Sequence, residues 1–244
     1  MTEATSITSA DGEVPAMRSE PPGPTKGGVV VVQEAFGLTD HIGSICDRLA
    51  EAGWLAIAPA LFHRQGARTF AYGDFDSIMP VMKELTAEGI RSDIDAAVGR
   101  LVEDGQPTAR IGVVGFCMGG AIALDTAARQ ALGAAVTFYG GGVVEGRFGL
   151  PSLVESAPEL QTPWLGLYGD LDKGIPPEQS EALRAAAAQA SVTTEVVRYG
   201  DADHGFNNDD RPDVFNADAA EDGWRRTLAW LDLYAGADPG GGPD

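Results

Sequence analysis

Apolar residues along this chain fall into two patterns, and their alternation sets the architecture. "GVVVVQEAFG" from Gly28, "WLAIAPAL" from Trp54, "RIGVVGF" from Arg110, "GAAVTFYGG" from Gly133 and "TPWLGLYGD" from Thr162 are short, rich in β-branched or aromatic residues, and free of polar alternation. Runs of this kind suit strands buried on both faces of a parallel sheet. "TTEVVRYG" from Thr193 reads as the last strand. Between the strands lie stretches with helical spacing. One runs from Asp40, expected as the cap, to about Ala52, and others cover residues 76 to 87, 91 to 103 and 118 to 130. "PPEQSEALRAAAAQA" starts with proline, whose missing N–H is harmless in a first turn. "DAAEDGWRRTLAWLDLY" is an amphipathic closing helix. The opening "SITSADGEVPAM" differs: its short alternating segments flank Asp11-Gly12, a pair suited to a tight hairpin turn. The expectation is an α/β fold, with a mostly parallel central sheet, helices on both faces and an N-terminal antiparallel hairpin at one edge.

Length and composition narrow this further. At 244 residues, with no internal repeat and no clear linker, the chain is expected to form one domain over 1–244, with about 236–244 as a frayed tail. Seventeen basic against 36 acidic residues give a net charge of -19, which disfavours nucleic acid and anionic membrane surfaces as partners. Cys46 and Cys117 are the two cysteines, without a CxxC pair, so neither a disulfide framework nor a structural zinc site is expected. "MTEATSITSADGEV" has no basic or apolar segment of a signal peptide, and no apolar run approaches the ~18 residues of a membrane span. A cytoplasmic protein is the expectation.

Candidate chemistry centres on "GVVGFCMGG", residues 112 to 120. G-x-C-x-G between a strand and a helix has the form of a nucleophile elbow with cysteine in the usual serine position. Gly115 and Gly119 leave room for a sharp turn, and the helix N-terminus favours a thiolate at Cys117. The N–H of Met118 would point at a substrate oxyanion. Taken alone, the pentapeptide also describes an inert core cysteine; its flanking strand and helix, and its downstream partners, favour chemistry. His204 in "YGDADHGFNND" follows the last strand and could reach the thiol. His41, near a helix start, is expected to be solvated, and His63 to lie at the surface or in the pocket. An acid should come between nucleophile and base, and "LYGDLDKGIP" offers Asp170 and Asp172, one of which serves the turn. Glu34 directly follows a buried strand, where a carboxylate is costly unless paired or in a cleft. It is either a satisfied turn residue or a second base near the thiol, and the N–H of Ala35 could supply a further oxyanion donor. Phe36, Phe70, Tyr72, Tyr139 and Phe206 could line an apolar cleft.

"QEAFGLTDHI", "GFCMGG", "GDLDKGIP" and "DADHGFNND", in this order and spacing, resemble the dienelactone hydrolase family of α/β-hydrolases over nearly the whole chain. The resemblance implies an α/β-hydrolase fold and cleavage of a small ester, lactone or enol-lactone by Cys117, His204 and Asp172, with no cofactor or metal. It selects Asp172 over Asp170 by its distance from Gly169. It also implies that Glu34 holds the thiol protonated at rest and takes its proton when substrate binds, which limits exposure of a thiolate to oxidation. The family's substrate-binding arginine after the histidine is absent, and its position matches Asn208. Arg211 lies three residues on, and Arg64 and Arg68 are the candidates for a second cation. Losing a bidentate clamp weakens carboxylate recognition. The expected partner is a small ester or lactone, bound by a monomer or homodimer. Two other readings stand beside this one: a slow or non-catalytic ligand-binding protein on the same scaffold, and redox sensing by Cys117 with Cys46, which requires the two sulfurs to meet.

Overall fold

The computed structural model describes residues 1–236. Eight strands form one sheet: β1 (Glu3–Ser9), β2 (Gly12–Ser19), β3 (Gly27–Val32), β4 (Trp54–Pro59), β5 (Ile111–Phe116), β6 (Ala134–Phe138), β7 (Trp164–Gly169) and β8 (Thr194–Tyr199). Their spatial order is β1-β2-β4-β3-β5-β6-β7-β8. The hairpin β1–β2 and its junction with β4 are antiparallel, and every other pairing is parallel. The helices are α1 (Asp40–Glu51), α2 (Phe75–Lys83), α3 (Ala87–Glu103), α4 (Met118–Arg129), α5 (Leu153–Ser156), α6 (Pro177–Ala187) and α7 (Ala217–Tyr234).

The continuous apolar runs are explained by burial on both faces. In β3, Val29 and Val31 join a core with Ile42, Ile45 and Leu49 of α1 and Leu231 of α7. Val30 and Val32 point the other way, into a core with Ile94 and Leu101 of α3, Ile122 of α4 and Leu183 of α6. A strand with no solvent face has no position where a polar residue is favoured.

Several local expectations are corrected. Thr39, not Asp40, occupies the N-cap of α1, and Asp40 is the first helical residue, where its charge suits the helix dipole. His41 is buried rather than solvated, with Nδ1 3.3 Å from Asp209 and its ring against Phe116. Its position in the first turn of α1 faces the sheet, which the helical spacing alone does not reveal. The four-residue helix α5 is too short to show in the apolar spacing, although Ser152 and Glu155 form a capping box there. The expected tail falls, beyond Gly236, outside the described residues. No helix among the described residues is long and apolar enough to cross a membrane.

Candidate active site

The C-terminal ends of β3, β5, β7 and β8 converge on one region, and each delivers one polar side chain to it. Cys117 follows β5 with φ 55° and ψ -116°, a conformation that costs a non-glycine residue about 1–3 kcal/mol. The turn is this sharp because two glycines allow backbone to touch backbone. A Cβ on Gly115 would lie 1.9 Å from the Gly119 carbonyl oxygen, and a Cβ on Gly119 would lie 2.2 Å from that of Val32. The second contact seats the start of α4 on the exit of β3. The Cys117 N–H donates to the Phe138 carbonyl at 3.0 Å and ties the bend to β6. Gly115→Ala is expected to destabilise the protein by about 3 kcal/mol or more, because neither backbone segment can yield; urea unfolding measures it.

His204 and Asp172 meet at this bend. The imidazole Nδ1 is 2.6 Å from Asp172 Oδ2, and the Cys117 sulfur lies close enough to the ring to raise its pKa. Asp172 is 4% exposed, and its Oδ1 accepts from the Gly174 and Ile175 N–H groups at 2.8 and 3.2 Å. Its carboxylate is therefore fixed by its own turn, independently of the histidine. Burial alone would lower the His204 pKa, but the Cys117 sulfur and the Asp172 carboxylate outweigh it and hold the imidazole well above its ordinary value. Asp170 serves the fold instead. Both its oxygens accept from Arg198, each at 2.7 Å, which clamps the turn after β7 to β8.

Glu34 is 1% exposed at the exit of β3. Asn208 Nδ2 donates to its Oε2 at 2.7 Å, and the Tyr139 hydroxyl to its Oε1 at 3.4 Å. Burial, then the Glu34 and Cys117 charges, raise the Tyr139 pKa well above the ordinary value, so the phenol stays a donor. Gln33 holds the strand exit in place, accepting from the Leu61 N–H at 3.1 Å and donating to the Glu34 carbonyl at 3.3 Å. The N–H groups of Ala35 and Met118 donate to no acceptor among the described residues; Met118 directly follows Cys117, and Ala35 directly follows Glu34. Asn208, in the sequence merely the position of a missing arginine, is thus the principal partner of Glu34. Its place four residues after His204 is the available signal.

The remaining expected residues divide. Tyr72 is partly exposed at the rim, its ring 4.8 Å from Phe36 and its hydroxyl 3.2 Å from Asp210. Phe36, Tyr139 and Phe206 are buried, not open walls of a cleft. Phe206 packs among Phe138, Tyr139 and Tyr199, and Phe70 packs on Phe62, so these rings support the site from below. Arg64 is not in the site: it pairs with Asp93 at 2.7 Å and Asp11 at 2.6 Å, pinning the hairpin turn to α3. His63 shares that cluster, with Nε2 3.1 Å from Asp93. Arg68 is exposed on the segment that passes Gly37, where its carbonyl closes on that glycine. Arg211 stacks over Phe36 at 5.6 Å. Cys46 is fully buried on α1 and its thiol is pushed up to about 12 by burial and by Asp47, which makes it a poor partner for thiol exchange.

A mostly parallel sheet of this order, with a strained residue on a strand-to-helix elbow and an acid–histidine pair on later strands, defines an α/β-hydrolase. The sequence profile of the dienelactone hydrolase family matches residues 14–235. The chain is 39% identical over 241 residues to a "Putative carboxymethylenebutenolidase" of Escherichia coli O157:H7, covering 95% of this chain and 87% of that one. It is 38% identical over 235 residues to a protein of the same name from Methylorubrum extorquens, covering 93% and 79%. The crystal structure of a "Putative Dienelactone Hydrolase" from Klebsiella pneumoniae superposes with a TM-score of 0.87 at 38% identity, covering 96% of this chain and 99% of that chain. The chain belongs to the dienelactone hydrolase family and is a hydrolase.

Proposed function

We propose that this hydrolase cleaves small carboxylic esters, lactones or enol-lactones through Cys117. One observation carries the reading: His204 Nδ1 lies 2.6 Å from Asp172 Oδ2, in a ring whose pKa the Cys117 sulfur and Asp172 both raise. The Cys117 S–H proton passes to His204 as the sulfur attacks the substrate carbonyl carbon, and the carbonyl π electrons move to oxygen. The N–H groups of Ala35 and Met118, free of other acceptors among the described residues, receive that oxyanion. The tetrahedral adduct collapses, the C–O bond breaks, and the departing alkoxide takes a proton from the His204 imidazolium. Water, deprotonated by the now neutral His204, then attacks the thioester and releases the acid and the thiol. Asp172 keeps Nδ1 protonated and leaves Nε2 facing the sulfur.

Glu34 is the second acceptor for the thiol proton in this scheme, parked between Asn208 and Tyr139 until substrate arrives. Glu34→Gln is expected to slow acylation about 100-fold and to leave deacylation unchanged, which single-turnover measurements separate. The substrate is a small molecule met in the cytoplasm, the enzyme is a monomer or homodimer, and every step uses side chains of the chain itself and water.

Rapid mixing with an activated aryl ester tests the reading. An initial burst of leaving group, with an acyl mass increment on the peptide carrying Cys117, is the expected result. Steady turnover with no increment on Cys117 sinks the covalent mechanism. Binding with no turnover at all favours the slow or non-catalytic ligand-binding alternative.

A further inference from the structure

A groove of about 550 Å³, lined by Met79, Met82, Lys83, Leu85, Arg147, Phe148 and Gly149, runs between α2 and the loop after β6. One wall is α2, in the connection from β4 to β5, and the other is the loop that leaves β6, the neighbour of β5, which leads into Cys117. On one side Met82 packs against Ala35 and Phe36, at the exit of β3, and against Ile78 of its own helix. On the other, Arg147 lies over Gly141 and Gly142, which leave β6 just after Tyr139. Through Ala35, which follows Glu34, and through Gly141 and Gly142, which follow Tyr139, the groove adjoins the site already described.

Its lining combines two features that are unusual in this chain. The first is exposed apolar surface. Met79 is 46% exposed, and Phe75 and Val144 on the same two segments are 55% and 50% exposed. Phe148 is held at φ 58°, an uncommon conformation for a bulky residue, inside a turn closed by the Leu150 N–H on the Arg147 carbonyl. The second is unpaired positive charge. The protein carries a net charge of -19, and most of its arginines are matched to carboxylates, yet neither Lys83 nor Arg147 has an ion-pair partner within 4 Å among the described residues. Arg48, Arg68, Lys173 and Arg211 share that condition, Arg48 stacking over Trp224 and Arg211 over Phe36. A surface this acidic normally satisfies exposed cations with its own acids; here the cations at the mouth are left available for something else.

We propose that this groove binds the arm of the substrate that extends away from the reacting carbonyl, and that this arm is apolar and ends in an anionic group, a carboxylate or a phosphate. Met79, Met82, Leu85 and Phe148 contact the apolar stretch, and Lys83 and Arg147 hold the end. Methionines suit such a wall because their flexible thioethers adapt to arms of differing shape. The proposal names the substrate class for the hydrolytic site above and rests on that reading.

The test compares nitrophenyl esters of octanoic acid, octanedioic acid and 8-phosphooxyoctanoic acid with the full chain at low salt. Wild type is expected to turn over at least one anionic ester with a kcat/KM about 10-fold above that of the octanoyl ester. The Lys83→Ala/Arg147→Ala double variant removes that preference while the octanoyl rate is unchanged, and Lys83→Glu/Arg147→Glu reverses it. Whichever anionic ester is faster identifies the end group. Equal rates for all three esters in wild type, or a preference that survives in both double variants, overturn the proposal and leave the hydrolytic reading intact. Calorimetric binding of octanedioic acid monomethyl ester and octyl phosphate to Cys117→Ala separates the converse case. If wild type shows no turnover but this binding is weakened by Lys83→Ala/Arg147→Ala, the groove stands and the hydrolytic reading fails. No measurable binding in that variant, together with no preference in turnover, sinks the groove.

Discussion

Cys117→Ala is expected to lower turnover of an activated ester by at least about 10⁴-fold, because removing the sulfur removes the covalent route and leaves only binding and the oxyanion donors. Cys117→Gly should lose as much activity and yet raise stability. The residue sits at φ 55° and ψ -116°, which glycine adopts without strain, so about 1 kcal/mol of stored strain is released. Urea unfolding of wild type and both variants checks this, with Cys117→Ala as the control that loses the sulfur and keeps the Cβ. A gain for alanine equal to that for glycine assigns the effect to the thiol. A Cys117→Ala protein that matches wild-type turnover refutes the nucleophile outright.

Asp172→Asn carries the second largest expected effect, a fall in kcat of about 10³–10⁴-fold with little change in KM. An amide in place of the carboxylate no longer fixes the protonated Nδ1, and it stops supporting positive charge on the ring 2.6 Å away. Two further readouts distinguish this from a simple loss of packing. The His204 pKa, raised in the wild type by Cys117 and Asp172 against the effect of burial, should fall in the variant, as proton NMR titration would follow. Stability gives the other. A histidine whose folded-state pKa exceeds its unfolded value of about 6.5 stabilises the fold fully below that pH, and the contribution is lost as pH rises through the folded value. Shrinking the gap therefore costs Asp172→Asn more stability near about pH 6 than near about pH 10. Asp170→Asn, which weakens only the clamp to Arg198, should show neither the kinetic nor the titration change.

The site also accounts for an acid that would otherwise be out of place. A carboxylate as buried as Glu34 needs donors, and the chain supplies Asn208 and Tyr139. A neutral amide satisfies the carboxylate without fixing it in an ion pair. Tyr139 itself adopts φ 39°, placing a second strained residue beside Cys117. Strain at two adjacent strand ends is tolerated because the rings of Phe116, Phe138 and Phe206 pack beneath them and leave no room to relax.

The amino-acid sequence by itself determined the layers, the nature of each strand and the order of the polar groups. Unbroken β-branched runs admit only a strand covered on both faces, and Asp11-Gly12 admits only a tight hairpin; both are local consequences of side-chain shape and backbone freedom. The elbow was legible for the same reason, since Gly115, Cys117 and Gly119 encode a bend within five residues. What lies between groups distant in the chain was decided only by the tertiary structure. Arg64 and Arg68 are four residues apart and equally basic, yet Arg64 turns to Asp11 and Asp93 while Arg68 stays exposed near the mouth. Asp170 and Asp172 are two residues apart, yet one faces Arg198 and the other His204. Asn208 reaches Glu34 across 174 residues of chain. A charge or an amide carries no mark of its partner, because long-range pairing depends on which strand ends the sheet order brings side by side, and that order is a property of the whole fold.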